Sequence, residues 1–297
     1  MSLKIKPWIE AMRLRTLPVS IAGVVAGCGL AAFYDSFSPV PAAICLVFAV
    51  LAQIASKFAN EYYDFNGGLD KKGREGFRRG VTEGDITPGA MLRATYLTLA
   101  LAALTGLSLL IYGGWWLIPV GVAIAIFALA YSTGPYPLSH HGLGDIAVIV
   151  FFGLVPVTLT CYVQVGEQTF SPLVYCIATA IGLMAANVLI VNNYRDMDDD
   201  RAVGKHTTVV IFGRRAMGLV YLLFFFIAIA LCIAVTWPFF APGWWLIYSL
   251  AAVVAVLLYR RLIKNRGAAL NAQLGMTAMT LLVYSLTLSI ALACSHL

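Results

Sequence analysis

Hydrophobic residues in this chain run in long unbroken stretches, and the polar residues are gathered into a few short segments between them. A helix that crosses a membrane needs about 20 mostly apolar residues. Nine stretches qualify, at about residues 17–34, 40–59, 90–112, 114–131, 145–163, 172–192, 216–236, 244–259 and 272–294. The pattern predicts an all-α polytopic membrane protein, a single transmembrane domain over residues 1–297. The first stretch follows Lys4, Lys6, Arg13 and Arg15 as the core of a secretory leader would. It is longer than the ~7–15 apolar residues of such leaders, so it reads as an anchor.

Composition sharpens this picture. Hydrophobic residues make up 61% of the chain and charged residues 11%, against about 25% charged in soluble domains, so there is no polar shell for a water-soluble core. Disordered and collagen-like classes are excluded by the same apolar content and by glycines without a three-residue period. Cys28, Cys45, Cys161, Cys176, Cys232 and Cys294 fall in separate apolar runs without CxxC spacing, and read as small packing residues.

Charge then predicts sidedness, because Lys and Arg near span ends are retained on the cytoplasmic side. All 20 fall on one side: before span 1, from the end of span 2 to Arg93, after span 6 and after span 8. The opposite loops, near residues 35–39, 164–171 and 237–243, carry only Asp35 and Glu167. The pI of 9.0 is accordingly a topology signal, and no nucleic-acid partner is implied. With nine spans the N-terminus and the long polar loops are expected in the cytoplasm and the C-terminus outside.

Two cytoplasmic loops are long and rich in functional groups. NEYYDFNGGLD (Asn60 to Asp70) ends span 2, and NNYRDMDDDRAVGKHT (Asn192 to Thr207) ends span 6. Continued as helices, the spans place Asn60 and Asp64 on one face and Asn192, Asp196 and Asp200 on another, since residues four apart share a face. The same Asn-x-x-x-Asp spacing four spans apart suggests related halves at about residues 1–142 and 143–271, with a ninth helix at 272–297 added. Stacked carboxylates repel, by a few tenths of a kcal/mol in water and more beside lipid, which calls for a cation. Magnesium suits them: it takes oxygen ligands and is held by one or two carboxylates plus substrate phosphates. Interleaved bases, namely Arg74, Arg78, Arg79, Arg195, Arg201 and Lys205, suit phosphate oxygens. Charges at span ends are ordinarily solvated caps, and Glu75, Glu83 and Asp85 read that way. Two matched motifs on matched spans exceed what topology requires and point to a magnesium-diphosphate site.

Both motifs, their places after spans 2 and 6, the basic stretch before span 1 and the nine spans resemble the UbiA-type intramembrane prenyltransferases over essentially the whole chain. Within that family NEYYDFNGGLD, GREGFRRGVTEGDITPGAM, YSTGPYPLSHHGLGDIAVIVFFG and NNYRDMDDDRAVGKHTTVVIFG are most similar to the menaquinone-pathway branch. The resemblance implies transfer of a polyprenyl group from its diphosphate to 1,4-dihydroxy-2-naphthoate with loss of carbon dioxide, giving demethylmenaquinone, in the bacterial cytoplasmic (inner) membrane. By position it implies that Asn60, Asp64, Asp196 and Asp200 carry Mg2+ and catalysis, with Asp70 the last aspartate of the first motif. It also places Arg13, Arg195 and Lys205 on the diphosphate. Two departures stand out: Glu61 occupies a position commonly Asp, and Ser139-His140-His141 replaces a lysine of some relatives.

Such a reaction needs an allylic cation, and aromatic faces stabilise cations by about 0.5–2 kcal/mol each. Tyr62, Tyr63, Tyr131, Tyr136 and Tyr194 fall near the motifs, although tyrosine is common at membrane interfaces without any role in chemistry. Tyr131 and Asp145 are the candidate acceptor-binding residues, and Asp145, opening span 5, either orients the acceptor or caps its helix. The alternatives are a relative with another acceptor such as 4-hydroxybenzoate, or a transporter. A transporter would place ionisable residues near mid-span, and only Lys57, near the end of span 2, comes close.

Overall fold

A computed structural model describes residues 5–70, 72–73 and 76–295; Arg74 and Glu75, both singled out above, lie outside the described residues. Every regular element among these is helical, and each of the nine expected segments contains a helix. These helices are Leu17–Phe33, Pro39–Asn66, Pro88–Ser108, Leu117–Ala130, Gly144–Val165 with an internal π turn, Pro172–Ala202, Thr208–Thr236, Leu246–Lys264 and Leu270–Ala293. Eight are long and apolar enough to cross a membrane. Span 4 has 14 residues, or about 21 Å at 1.5 Å per residue, shorter than the sequence pattern suggests and short of the ~30 Å hydrocarbon core.

Spans 2 and 6 are the reverse case. With 28 and 31 residues they measure about 42 and 46 Å, so each crosses the hydrocarbon and then continues as helix through its motif. Pro at the first turn opens both, where a missing N–H costs nothing. The motif side chains therefore project from rigid helix at the membrane boundary. The chain also forms a short helix before span 1, Ile5–Met12, that the span pattern does not announce. It buries Pro7 and Ala11, exposes Ile5 and Ile9, and sets Trp8 edge-on to Phe58 of span 2 at 5.8 Å.

The core is lopsided. Span 6 is the most enclosed, with 78% of its most apolar window buried, whereas span 3 buries 11% and span 4 has no buried residue. Spans 1 and 5 to 9 pack into one continuous cluster around span 6, while spans 2 to 4 stand off it. Spans 5 and 6 approach backbone to backbone. A Cβ on Gly153 would lie 2.3 Å from Gly182 Cα, and one on Gly182 would lie 2.6 Å from the Ile149 carbonyl oxygen, so only glycine permits the contact. The π turn at Val150–Leu154 absorbs Pro156, whose missing N–H interrupts regular α-helical bonding.

Candidate active site

The loops after spans 2, 4 and 6 converge at one end of the bundle. Lys205, following span 6, donates from Nζ to Asp64 Oδ2 of span 2 at 2.7 Å, and the His206 N–H donates to the His140 carbonyl at 2.9 Å. Two motifs far apart in sequence thus form one site, a pocket of about 130 Å³. Asn60, Asp64, Asn192, Asp196, Asp200, Arg13, Arg79, Lys205, Tyr131 and Asp145 all line it.

Asn60 is the hub. Its Oδ1 accepts from Arg13 Nη2 at 3.2 Å and from Arg79 Nη1 and Nη2 at 3.2 and 3.3 Å. Its Nδ2 donates to Asp64 Oδ2 and Ser132 Oγ, each at 3.1 Å. Arg13 reaches it from a left-handed backbone conformation (φ 51°), which costs a non-glycine residue about 1–2 kcal/mol; the turn after the N-terminal helix aims the guanidinium into the pocket. Arg79 is 6% exposed and is held from its other side by Asp70, 3.3 Å from Nε.

The first motif's glutamate faces elsewhere. Glu61 is 1% exposed and accepts the Val81 N–H at 3.1 Å, bracing the loop that carries Arg79. Asp70 is absent from the pocket wall, so the structure shows it as the partner of Arg79. Arg195 also departs from expectation. Its Nε and Nη2 grip the two carboxylate oxygens of Asp196 at 2.6 and 2.7 Å, Nη2 also reaches Asn192 at 2.9 Å, and Nη1 reaches Asn271 at 2.9 Å. The guanidinium lies 5.0 Å from the Phe77 ring centroid, enclosed behind Asp196 and away from the pocket wall. Arg78 stays outside, half-exposed and paired with Asp85 and Glu10.

Of the tyrosines, Tyr131 alone lines the pocket. Tyr194 is buried under Arg214 and Arg266, Tyr136 stacks on His141 at 3.7 Å, and Tyr62 and Tyr63 pack on each other. Neither carboxylate oxygen of Asp145 bonds the backbone of its own helix. Its Oδ2 accepts from Thr208 Oγ1 at 2.5 Å while its buried Oδ1 accepts nothing. A break at Gly213 (φ 79°) divides span 7, and the short helical segment before it carries Thr208 to this contact. His140, in the Ser139-His140-His141 stretch noted above, has Nε2 3.5 Å from Asp64 Oδ1. Ser132 and Thr208 are site residues that sequence reasoning missed, since isolated small polar residues carry no spacing signal, and Asn193 is passed over because the four-residue spacing selects its neighbour Asn192.

The donor set fits magnesium. Asp64 Oδ1 is buried and accepts no hydrogen bond, and carboxylates and amides of both motifs face one cavity. Among the described residues no three His, Cys, Asp or Glu side chains converge closely enough to hold a metal by themselves, as expected of an ion completed by substrate phosphates and water.

A second cavity, about 330 Å³ and almost wholly apolar, adjoins this pocket. Gln53, Ser56, Tyr131, Val148 and Phe152 border both. It runs between spans 2, 3, 4 and 5, and its outer wall includes the exposed Leu107, Ile118, Val122 and Phe127, so it opens toward lipid.

A polar pocket of acids and bases joined to an apolar groove at a membrane boundary is the arrangement expected of the resemblance noted above, and comparison with known proteins decides the matter: the UbiA prenyltransferase family pattern matches residues 20–293. The chain belongs to the UbiA prenyltransferase family. Among its relatives, the 1,4-dihydroxy-2-naphthoate octaprenyltransferase of Escherichia coli (strain K12) is 41% identical over 69% of this chain and 68% of its own. The enzyme of the same name from Mycobacterium tuberculosis is 34% identical over 98% of both chains. In fold the chain is similar to a UbiA homolog from Archaeoglobus fulgidus solved with GPP and Mg2+, with a TM-score of 0.70 at 15% identity, covering 96% of this chain and 99% of that one. As a UbiA family member the chain is a multi-span membrane protein.

Proposed function

We propose that this UbiA-family protein transfers a polyprenyl group from polyprenyl diphosphate to 1,4-dihydroxy-2-naphthoate with decarboxylation, giving demethylmenaquinone. The observation that carries the reading is the junction of the two cavities: a charged pocket suited to a diphosphate opens directly into an apolar groove suited to its isoprenoid tail. The relatives named for dihydroxynaphthoate prenylation support the acceptor.

Asp64 beside Asn60 in the first motif, and Asp196 and Asp200 beside Asn192 in the second, would hold Mg2+ with no more than two carboxylates to an ion and substrate phosphates completing it, and the metal would supply charge neutralisation for the departing diphosphate. Arg13, Arg79 and Lys205 line the same pocket and would take phosphate oxygens, so the leaving group departs with the electron pair of its C–O bond into a preorganised positive field. The allylic carbon then lies where the cavities meet, beside Tyr131 and Phe152. The Asp145 Oδ1 atom, buried without a hydrogen bond, can accept one from an acceptor hydroxyl and so orient the ring. Attack by the carboxyl-bearing carbon is followed by loss of carbon dioxide, and the electrons of that bond restore aromaticity. No protein base has to remove a ring proton.

The deciding assay supplies purified protein with magnesium, polyprenyl diphosphate and acceptor labelled in the carboxyl carbon. One labelled carbon dioxide should leave per prenyl group transferred. Turnover of 4-hydroxybenzoate with its carboxyl retained, and none of the naphthoate, would overturn the acceptor assignment. We further infer that this end of the bundle faces the cytoplasm, on the one-sided distribution of Lys and Arg. A cysteine introduced at Glu83 in a background without the six native cysteines should resist a membrane-impermeant reagent in intact cells and react once the membrane is opened. Labelling in intact cells would refute the orientation.

A further inference from the structure

Four cations line the polar pocket: Arg13, Lys57, Arg79 and Lys205. Three are committed, Arg13 and Arg79 to Asn60 and Lys205 to Asp64. Lys57 has no hydrogen bond or ion pair with any described residue. It lies three residues before Asn60 on the same helix, about 4.5 Å further into the membrane. Gln53, one turn before it on the same face, and Ser56, its neighbour in sequence, border both cavities, so Lys57, on the wall of the polar pocket, stands beside their junction, about one turn inward of Asn60 and two turns inward of Asp64.

A lysine is costly at this depth unless something anionic meets it. Carbon 1 of the prenyl group would lie at the same level, and a bare ammonium there would oppose the positive charge that develops on it. An anion contributed by the other substrate resolves both difficulties. We propose that Lys57 is a specificity-determining residue that binds the carboxylate of the aromatic acceptor. The ion pair would turn the carboxyl-bearing carbon toward the allylic centre and neutralise the ammonium as the prenyl cation forms. It would be lost when carbon dioxide leaves, so product would be held less tightly than substrate. The proposal rests on the prenyltransferase reading above and extends it to a residue on which neither motif bears.

The test is steady-state kinetics of Lys57→Met and Lys57→Arg beside the parent protein, under reducing conditions. The acceptors are 1,4-dihydroxy-2-naphthoate, 4-hydroxybenzoate and the carboxyl-free 1,4-dihydroxynaphthalene. A hydrogen bond to a charged group sets the scale, so Lys57→Met should raise the KM for the carboxylate acceptor by about tenfold or more. The KM for polyprenyl diphosphate should stay within about twofold. Lys57→Arg should recover most of the acceptor KM, and Lys57→Met should turn over the diol faster than the parent does, since that acceptor brings no carboxylate to neutralise the ammonium beside the forming cation. A rise confined to the diphosphate KM would assign Lys57 to the phosphates and overturn the proposal, as would unchanged acceptor KM in Lys57→Met. If the parent protein prenylates 4-hydroxybenzoate in place of the naphthoate, the dihydroxynaphthoate reading fails while Lys57 is still tested on that carboxylate. Turnover of the diol alone would end both.

Discussion

Replacing Asp64 or Asp196 with alanine is expected to lower prenyl transfer by about a hundredfold or more, on the order of 3 kcal/mol in the barrier, and chelation by excess EDTA is expected to abolish it. Each carboxylate belongs to a different motif and both face one pocket, so losing either should remove oxygen donors that the other cannot replace. Asp64→Ala also leaves Lys205, 7% exposed, without its partner. The comparison therefore includes Asp64→Asn, which keeps an oxygen and the shape. Turnover is measured on protein that elutes as the parent does in gel filtration. Glu83→Ala is the control, because that side chain has no partner among the described residues and lies off the pocket wall. Near-parental rates in folded Asp64→Ala or Asp196→Ala, or in excess EDTA, would refute the magnesium-diphosphate mechanism.

Arg195→Met should be the most destabilising single change in the site. It removes a two-pronged guanidinium from an Asp196 that is 2% exposed, and stranding one member of a buried ion pair costs about 3–5 kcal/mol. Thermal unfolding in detergent should show the midpoint falling well below that of the parent. Adding Asp196→Leu should recover much of the stability, since a buried pair replaced by apolar residues of similar volume is often neutral, yet activity should stay lost because an oxygen donor has gone. Recovery of activity in the double variant would show that Asp196 serves only to hold Arg195. An unchanged midpoint in Arg195→Met would show that the fork contributes little to the fold.

Helices that run past the membrane made the two motifs legible. Because spans 2 and 6 stay helical through Asn66 and Ala202, the three-and-four residue periodicity places Asn60 with Asp64 and Asn192 with Asp196 and Asp200 as expected. Loops broke the same reasoning. Arg78 and Arg79 are adjacent in sequence, yet Arg79 enters the pocket while Arg78 turns out to Asp85 and Glu10. No periodicity distinguishes neighbours in an irregular segment. Glu61 is equally instructive: a carboxylate inside the first motif turns out to brace a loop through the Val81 N–H, which depends on where residues 80–86 return.

What the sequence determined by itself was everything governed by local periodicity and the solvent: nine apolar runs, the one-sided bases, and the two carboxylate faces. Those follow from the cost of exposing polar backbone and charge to lipid, which acts on each segment independently. Tertiary structure decided which charges meet. The Lys205–Asp64 pair joins residues 141 positions apart, the enclosure of Arg195 depends on Asn271 of the last span and on Phe77, and the Asp145–Thr208 contact depends on the break at Gly213. The apolar groove exists because spans 2 to 4 stand off the tightly packed remainder. Pairing of buried charges and the space left between helices are properties of packing, set by contacts between segments that no single stretch of sequence contains.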